Sequence, residues 1–204
     1  MENDVREYFR NFLVRYCKMP VFGSVRNAVS NDPVSSCALF RFRDGAAAYT
    51  GVLSERMANG ENEMTVCVPM GREGHIYDIL GKRYLGCGKK AVLKMTRGMP
   101  LFLASVPRPI PAPRWNGQHS VSAGEALTLT LNAGTMPHSV RIRVLAPDGR
   151  ELMHYGRILY LKNGTGKFVL RTAFDDPPGQ WQVTAEEIIS GKRSVHSFRL
   201  NPAE

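Results

Sequence analysis

The sequence has no apolar run long enough to cross a bilayer, and its first residues, MENDVREYFRNFLVRY, are charged throughout. A helical span needs about 20 apolar residues, and a secretory leader needs an apolar h-region with a small-residue cleavage site. Neither a membrane span nor a signal peptide is expected in this chain. A mature fragment of an exported parent would look the same, so the compartment stays open. None of the four cysteines, Cys17, Cys37, Cys67 and Cys87, forms a CxxC pair or has a histidine at zinc-finger spacing. They read as small buried apolar groups, with a disulfide open only if the parent is exported. His75, His119, His138, His154 and His196 are isolated and give no metal-ligand pair. No G-x-S-x-G nucleophile elbow occurs. These patterns predict no metal, no cofactor and no catalytic residue.

A concentrated basic stripe is also missing. The net charge is +9, but it is spread: residues 1–113 carry a net +6 and residues 114–204 a net +3. The densest clusters are the pairs Lys82–Arg83, Lys89–Lys90 and Lys192–Arg193. Nucleic-acid binders gather such charge on one face and interleave it with aromatics. No nucleic-acid partner is therefore expected, and the basic residues read as solvated strand faces and loops.

What is present begins with an amphipathic helix. Val5, Tyr8, Phe9, Phe12, Leu13 and Tyr16 recur with a 3.6-residue period. Asp4 with Glu7 suits a capping box, and Pro20 marks the end. So apolar a stripe must pack on something, and Phe9, Phe12 and Leu13 are the expected docking side chains. The surface they meet is either the chain's own first domain or another chain. From Pro20 on, the period is two. Ala38, Phe40 and Phe42 alternate with Leu39, Arg41 and Arg43, and Met64, Val66 and Val68 alternate with Thr65 and Cys67. His75, Tyr77 and Ile79 share one face of a further strand, and Ala91, Leu93 and Met95 form another set. Asp44-Gly45 and Asn59-Gly60 are turn signals.

Residues 107–113 have proline at every second position, which removes backbone donors and favours an extended, semi-rigid linker. Beyond it, Leu127, Leu129 and Leu131, then Val140, Ile142 and Val144, then Trp181, Val183 and Ala185 alternate with polar residues. Pro147-Asp148-Gly149, Asn163-Gly164 and Ser190-Gly191-Lys192 punctuate them as turns. The expected class is mainly β: two tandem β-sandwich domains, the second immunoglobulin-like, with one N-terminal amphipathic helix. The expected boundaries are 1–19 for the helix, 20–106 for the first sandwich, 107–113 for the linker and 114–204 for the second sandwich.

Two spacings come near to chemistry. Gly81 and Gly86 have the gap of a phosphate-binding loop, but Cys87 stands where that loop needs Lys followed by Ser or Thr. They read as turn glycines. Asp78 is the one acid in a strand-like motif, and alternation puts it opposite His75 and Tyr77. A structural Asp closing the Gly81 turn is the favoured reading. The other prominent acids, Asp44, Asp148, Asp175 and Asp176, sit in turns, where carboxylates cap their own backbone. Asn163-Gly164-Thr165 fits a glycosylation sequon and reads first as a hairpin turn.

Several motifs carry a resemblance when taken in order. They are Phe42-Arg43-Asp44-Gly45, Tyr49-Thr50-Gly51-Val52-Leu53, His75-Ile76-Tyr77-Asp78, Gly81-Lys82-Arg83-Tyr84-Leu85-Gly86 and Leu101-Phe102-Leu103-Ala104. In the second half they continue as Pro147-Asp148-Gly149, His154-Tyr155, Asn163-Gly164-Thr165-Gly166 and Asp175-Asp176-Pro177-Pro178-Gly179-Gln180-Trp181. The chain from about residue 40 to 200 resembles the C-terminal β-sandwich region of large bacterial β-galactosidase-like, trimerisation-domain-containing glycoside hydrolases. The resemblance implies a noncatalytic accessory module giving structural support or assembly contacts, because the catalytic carboxylates of that family lie on a barrel this chain lacks. The parent would be the enzyme, and the helix would be the tail of an upstream domain. The implied partners are that upstream catalytic domain or a second copy met through the helix. The alternative reading is a carbohydrate-binding module or cell-surface interaction domain, for which Trp115, Tyr155 and Tyr160 are the candidate glycan or protein contacts. Trp181 alternates with Val183 and reads as core.

Overall fold

A computed structural model describes residues 5, 8, 11–13, 15–17, 23–34, 37–54 and 62–203. Asp4, Glu7, Phe9, Pro20 and the Asn59-Gly60 turn, named above, lie outside the described residues. Strands take 60% of the chain and helix 5%, so the class is mainly β. Residues 5, 8, 11–13 and 15 are helical, and the Phe12 carbonyl accepts from the Tyr16 N–H at 2.9 Å. Phe12 and Leu13 remain exposed, as do Val5, Tyr8 and Tyr16. The described part of the stripe is thus not buried against the chain's own strands, and Phe9 lies outside the described residues. No helix is long and apolar enough to cross a membrane among the described residues.

The first half is one sheet that bends over itself. Its strands are β1 (Arg26–Asn27), β2 (Cys37–Asp44), β3 (Ala47–Ser54), β4 (Glu63–Asp78), β5 (Arg83–Thr96) and β6 (Leu101–Val106). They run in the order β1-β4-β6-β3-β2, with β5 on β4, all antiparallel. The two strands expected at 64–68 and 75–79 are a single strand, β4. Its register against β5 shifts between Pro69 and Gly74, and that irregularity lets the early part pair with β1 and the late part with β6. Val52, Val66, Val68, Met70, Ile76, Ala91, Leu93, Met95 and Leu103 form the buried cluster. One bent sheet thus encloses this core where two separate sheets were expected.

In β2 the aromatic face turns outward. Phe40 and Phe42 are exposed, while Leu39 and Arg41 face inward and Arg41 donates to the Pro69 carbonyl at 3.2 Å. Period two identifies a strand; it does not say which face is covered. The cysteine expectation also fails. Cys17 and Cys87 are exposed and Cys37 and Cys67 half-buried, all four as free thiols. Cys67 sits on β4 opposite in parity to the buried Val66 and Val68, which explains its position. Burial pushes the Cys37 thiol up, partly offset by a hydrogen bond with Ser54.

The second half has two sheets around one core. A five-stranded sheet has the order β11 (Arg157–Leu161), β10 (His138–Leu145), β13 (Gly179–Glu187), β14 (Arg193–Asn201) and β8 (Ser120–Ser122). A three-stranded sheet has the order β12 (Thr165–Arg171), β9 (Ala126–Asn132) and β7 (Arg114–Gly117). The expected alternations fill the space between them: Leu127, Leu129 and Leu131 face Val140, Ile142, Val144, Trp181, Val183 and Phe198, all buried. Trp181 is fully buried, with its indole N–H donating to the Pro177 carbonyl at 2.9 Å. The Asn163-Gly164 hairpin is corrected: β11 and β12 belong to different sheets, so this turn carries the chain across the core. Gly164 sits at φ +73°, and a Cβ there would run into the Gly134 backbone, so the crossing needs glycine.

Candidate functional site

No strand pairing bridges the proline run; β6 ends at Val106 and β7 begins at Arg114. The two halves meet through side chains instead. Ile110, in the middle of the run, is fully buried with Tyr77 and Val106, against Ala47, Met136 and Ile189. The Ile110 N–H donates to the Tyr77 hydroxyl at 2.9 Å, and its carbonyl accepts from Lys192 Nζ at 2.7 Å. Both polar groups of a buried peptide are thereby satisfied, one by each half. The run expected as a semi-rigid linker is held at Ile110 by this clamp.

The second contact is between loop 79–82 and the β13–β14 turn. Lys82 Nζ donates to the Ile188 carbonyl at 2.5 Å and lies 3.8 Å from Glu186, whose other oxygen accepts from Arg193 at 2.7 Å. Gly191, at φ +68°, lets that turn approach; a Cβ there would stand 2.6 Å from the Lys82 Cβ. Asp78 shapes the loop from inside, accepting from Gly81 N at 2.9 Å and from Arg83 at 3.0 Å. Gly81 lies in this turn and Gly86 opposite the register shift at Ile76/Tyr77, so neither belongs to a phosphate loop.

At the floor of the junction lies a buried His–Glu pair. The side chains of His138 and Glu187 are 2% and 0% exposed, with Nδ1 and Oε1 3.5 Å apart. That separation is long for a hydrogen bond, and neither atom has a hydrogen-bond partner among the described residues. The other Glu187 oxygen accepts from both the backbone N–H and the hydroxyl of Ser190, each at 2.6 Å. Burial pushes the Glu187 carboxyl up, but His138, Ser190 and the Ile189 N–H together pull it further down, so it lies below the ordinary carboxylate value.

Beside this pair is a cavity of about 80 Å³, lined among others by Asp44, Tyr49, Pro107, Ile110, His138 and Tyr160. Tyr49 is stacked on Phe102 at 6.1 Å. Burial, then the charges of Asp44 and Glu187, push its hydroxyl up. Of the three contact candidates, Tyr160 stands here, 59% exposed on the edge strand β11. Trp115 is half-buried against Phe168 at 6.0 Å, its indole N–H buried without a hydrogen-bond partner among the described residues. Tyr155 closes a turn, donating to Asp176 at 2.6 Å and accepting from the Ala173 N–H at 3.2 Å. Burial and Asp176 push its hydroxyl up to about 12. The structure therefore does not bring the three together.

Sequence reasoning missed His138, Glu187 and Tyr49. A signal for the first two was present. Glu187 continues the inward parity of Trp181, Val183 and Ala185, and His138 that of Val140, Ile142 and Val144. A titratable side chain on the buried side of an alternation marks a polar group carried into the core.

No protein-family model matches the chain. No curated protein matches it either. Among solved structures it is similar to the superoxide reductase (neelaredoxin) from Ignicoccus hospitalis, with a TM-score of 0.34 and 10% identity over 45% of this chain and 82% of that one. A single-substitution variant of the same protein gives a TM-score of 0.33 and 11% identity over the same shares. Likeness at this level carries no argument about fold or function. Among the described residues no group of three or more His, Cys, Asp or Glu side chains could hold a metal ion.

Proposed function

We propose that this chain is a noncatalytic accessory module that gives structural support and assembly contacts within a larger carbohydrate-active protein, of the β-galactosidase-like kind its motifs resemble. The observation that carries this reading is the clamp on Ile110, which joins two separately cored β units through both halves. The acids near the junction are engaged in holding it: Asp78 by Gly81 and Arg83, Glu186 by Arg193, Glu187 by Ser190. Exposed apolar side chains on the helix and on β2 support the assembly part. Nitrogen-15 relaxation of the full chain tests it. The two halves should tumble with a single correlation time, and the purified protein should leave chromogenic β-galactosides intact. Independent tumbling, or turnover that disappears on substitution of one Asp or Glu, overturns the reading.

A further inference from the structure

We infer that the outer face of the three-stranded sheet, with the groove along its β12 edge, binds an acidic polysaccharide, a glycan that carries carboxylate or sulfate groups among its hydroxyls. This goes beyond the support role and does not depend on it. The argument starts from where the charge goes. The side chains of β7, β9 and β12 that alternate with the buried ones point away from the core. Strand register sets Arg114, Asn132 and Thr165 in one row of this outer face, and Asn116, Thr130 and Lys167 in the next. Thr128 opposite Val169, and Ala126 opposite Arg171, complete it, with no carboxylate among them. Arg157 joins at the edge, donating to the Val169 carbonyl at 2.7 Å. These four cations exceed the net +3 of residues 114–204, so the rest of this half is slightly acidic. None of the four has an ion-pair partner among the described residues, whereas Arg143, Arg150 and Arg193 are paired with Glu151, Asp148 and Glu186. Cations gathered on one face without counter-charges create a positive field that draws in a polyanion.

Arg157 is the anchor. Its guanidinium lies over the Phe168 ring, 4.7 Å from the centroid, with one N–H spent on Val169. A guanidinium fixed in this way meets an acid group with its remaining N–H groups and loses little freedom in doing so. Together with His154, Tyr155 and Arg171 it lines an open groove of about 610 Å³, within the roughly 300–1,000 Å³ of small-ligand sites. Acids border the face only at its turns. Glu125 accepts from the Ser122 N–H, and Asp176 from Tyr155 and the Ala173 N–H, while Asp175 is exposed in the same turn as Asp176.

The class of polyanion follows from what lies between the cations. Asn116, Thr128 and Thr130 offer neutral donors and acceptors, which suit the hydroxyls of a sugar chain. A single-stranded nucleic acid needs successive exposed rings on which to stack its bases, and the only aromatic ring at the groove is Tyr155 beside the His154 imidazole. A flat sheet face does not enter the groove of a duplex.

The test is an NMR titration of the full nitrogen-15-labelled chain with polygalacturonate and with dextran sulfate. Neutral dextran, poly-L-glutamate and single-stranded DNA are the controls. The expected result is saturable amide shifts in β7, β9, β11 and β12 with at least one acidic polysaccharide, weakening as salt is raised, and none with dextran. The tighter of the two tells carboxylate from sulfate. Arg157→Gln should weaken binding about tenfold, and Lys167→Gln or Arg171→Gln, both at exposed positions, about threefold to tenfold, as for the loss of one charged contact. Arg141→Gln, exposed on the five-stranded sheet, should leave it unchanged. An equal loss in Arg141→Gln means that net charge alone attracts the polymer, and that overturns the assignment. So does saturation by dextran, equal or tighter binding of poly-L-glutamate or DNA, or the absence of saturable shifts with both acidic polysaccharides.

Discussion

The two halves use the same kind of strand to opposite ends. In the second half, two sheets face each other and cover the apolar alternations between them: Leu127, Leu129, Val140, Trp181 and Phe198 are all inaccessible. In the first half, a single sheet encloses the core and leaves part of its other face open. Phe40, Phe42, Leu80 and Phe102 are left around an apolar groove of about 410 Å³ on the other side. The difference teaches that the amount of apolar residue in a strand does not set how much of it stabilises the fold. At roughly 25 cal/mol per Å² removed from water, only covered surface counts, and Phe42 at 57% exposed contributes far less than Trp181.

Substitutions sharpen this contrast. Trp181→Ala empties a fully enclosed site, and by the usual cost of large-to-small changes should lower stability by about 3–5 kcal/mol in urea unfolding. A loss below about 1 kcal/mol would show that the second core is looser than its burial implies. Next comes Glu187→Gln, which replaces the buried carboxylate that accepts two hydrogen bonds from Ser190 and should cost about 2–3 kcal/mol. Its pH signature has a definite sign. Because the folded carboxyl lies below its ordinary value, its contribution is full above the unfolded value and is lost as pH falls through the lower, folded one. Stability against acid should therefore fall less steeply in Glu187→Gln than in the native chain, as measured by thermal melts across the acid range.

A smaller effect is expected from Tyr77→Phe, which strands the buried Ile110 N–H without its acceptor and should cost about 1–2 kcal/mol. If the halves unfold together, the whole transition shifts; if only the first half's signals move, the clamp does not couple them. Smallest of all is the pair Phe40→Ser with Phe42→Ser, exposed on β2, which should stay within about 0.5 kcal/mol of the native stability. The same pair should reduce the binding of an apolar dye. A large destabilisation would mean that these rings are covered in solution.

The second half was the more legible in sequence, and the reason is physical. With one face of each strand fully covered, selection of Leu, Val and Ile against Thr and Arg keeps a clean period of two, as in Leu127–Leu131 and Val140–Val144. In the first half the pattern was present, but its meaning was not. Residues 76–79 are buried in succession because a register shift and the junction cover both faces, and no local rule announces that. The junction itself was least visible. His138 and Glu187 are far apart in the chain, and the pairing of β10 with β13, Val140 opposite Glu187, brings them together. The proline run was legible as a break in composition, yet the residue that matters there is the one interior isoleucine.

The open flank of the first sheet has a consequence for how this protein stays dispersed. Among the described strands β2 pairs with β3 alone, and it carries two outward phenylalanines. Such an edge is a template for growth by added strands, the route to cross-β fibres. Two guanidinium groups stand in the way. Arg41 points inward and is tied to Pro69, so an incoming chain cannot match it with an apolar partner, and Arg43 places charge beside Phe42 on the exposed end. Charge placement on one strand therefore opposes added strands at this edge, and replacing the exposed Arg43 is the change that weakens it without touching the Arg41–Pro69 hydrogen bond.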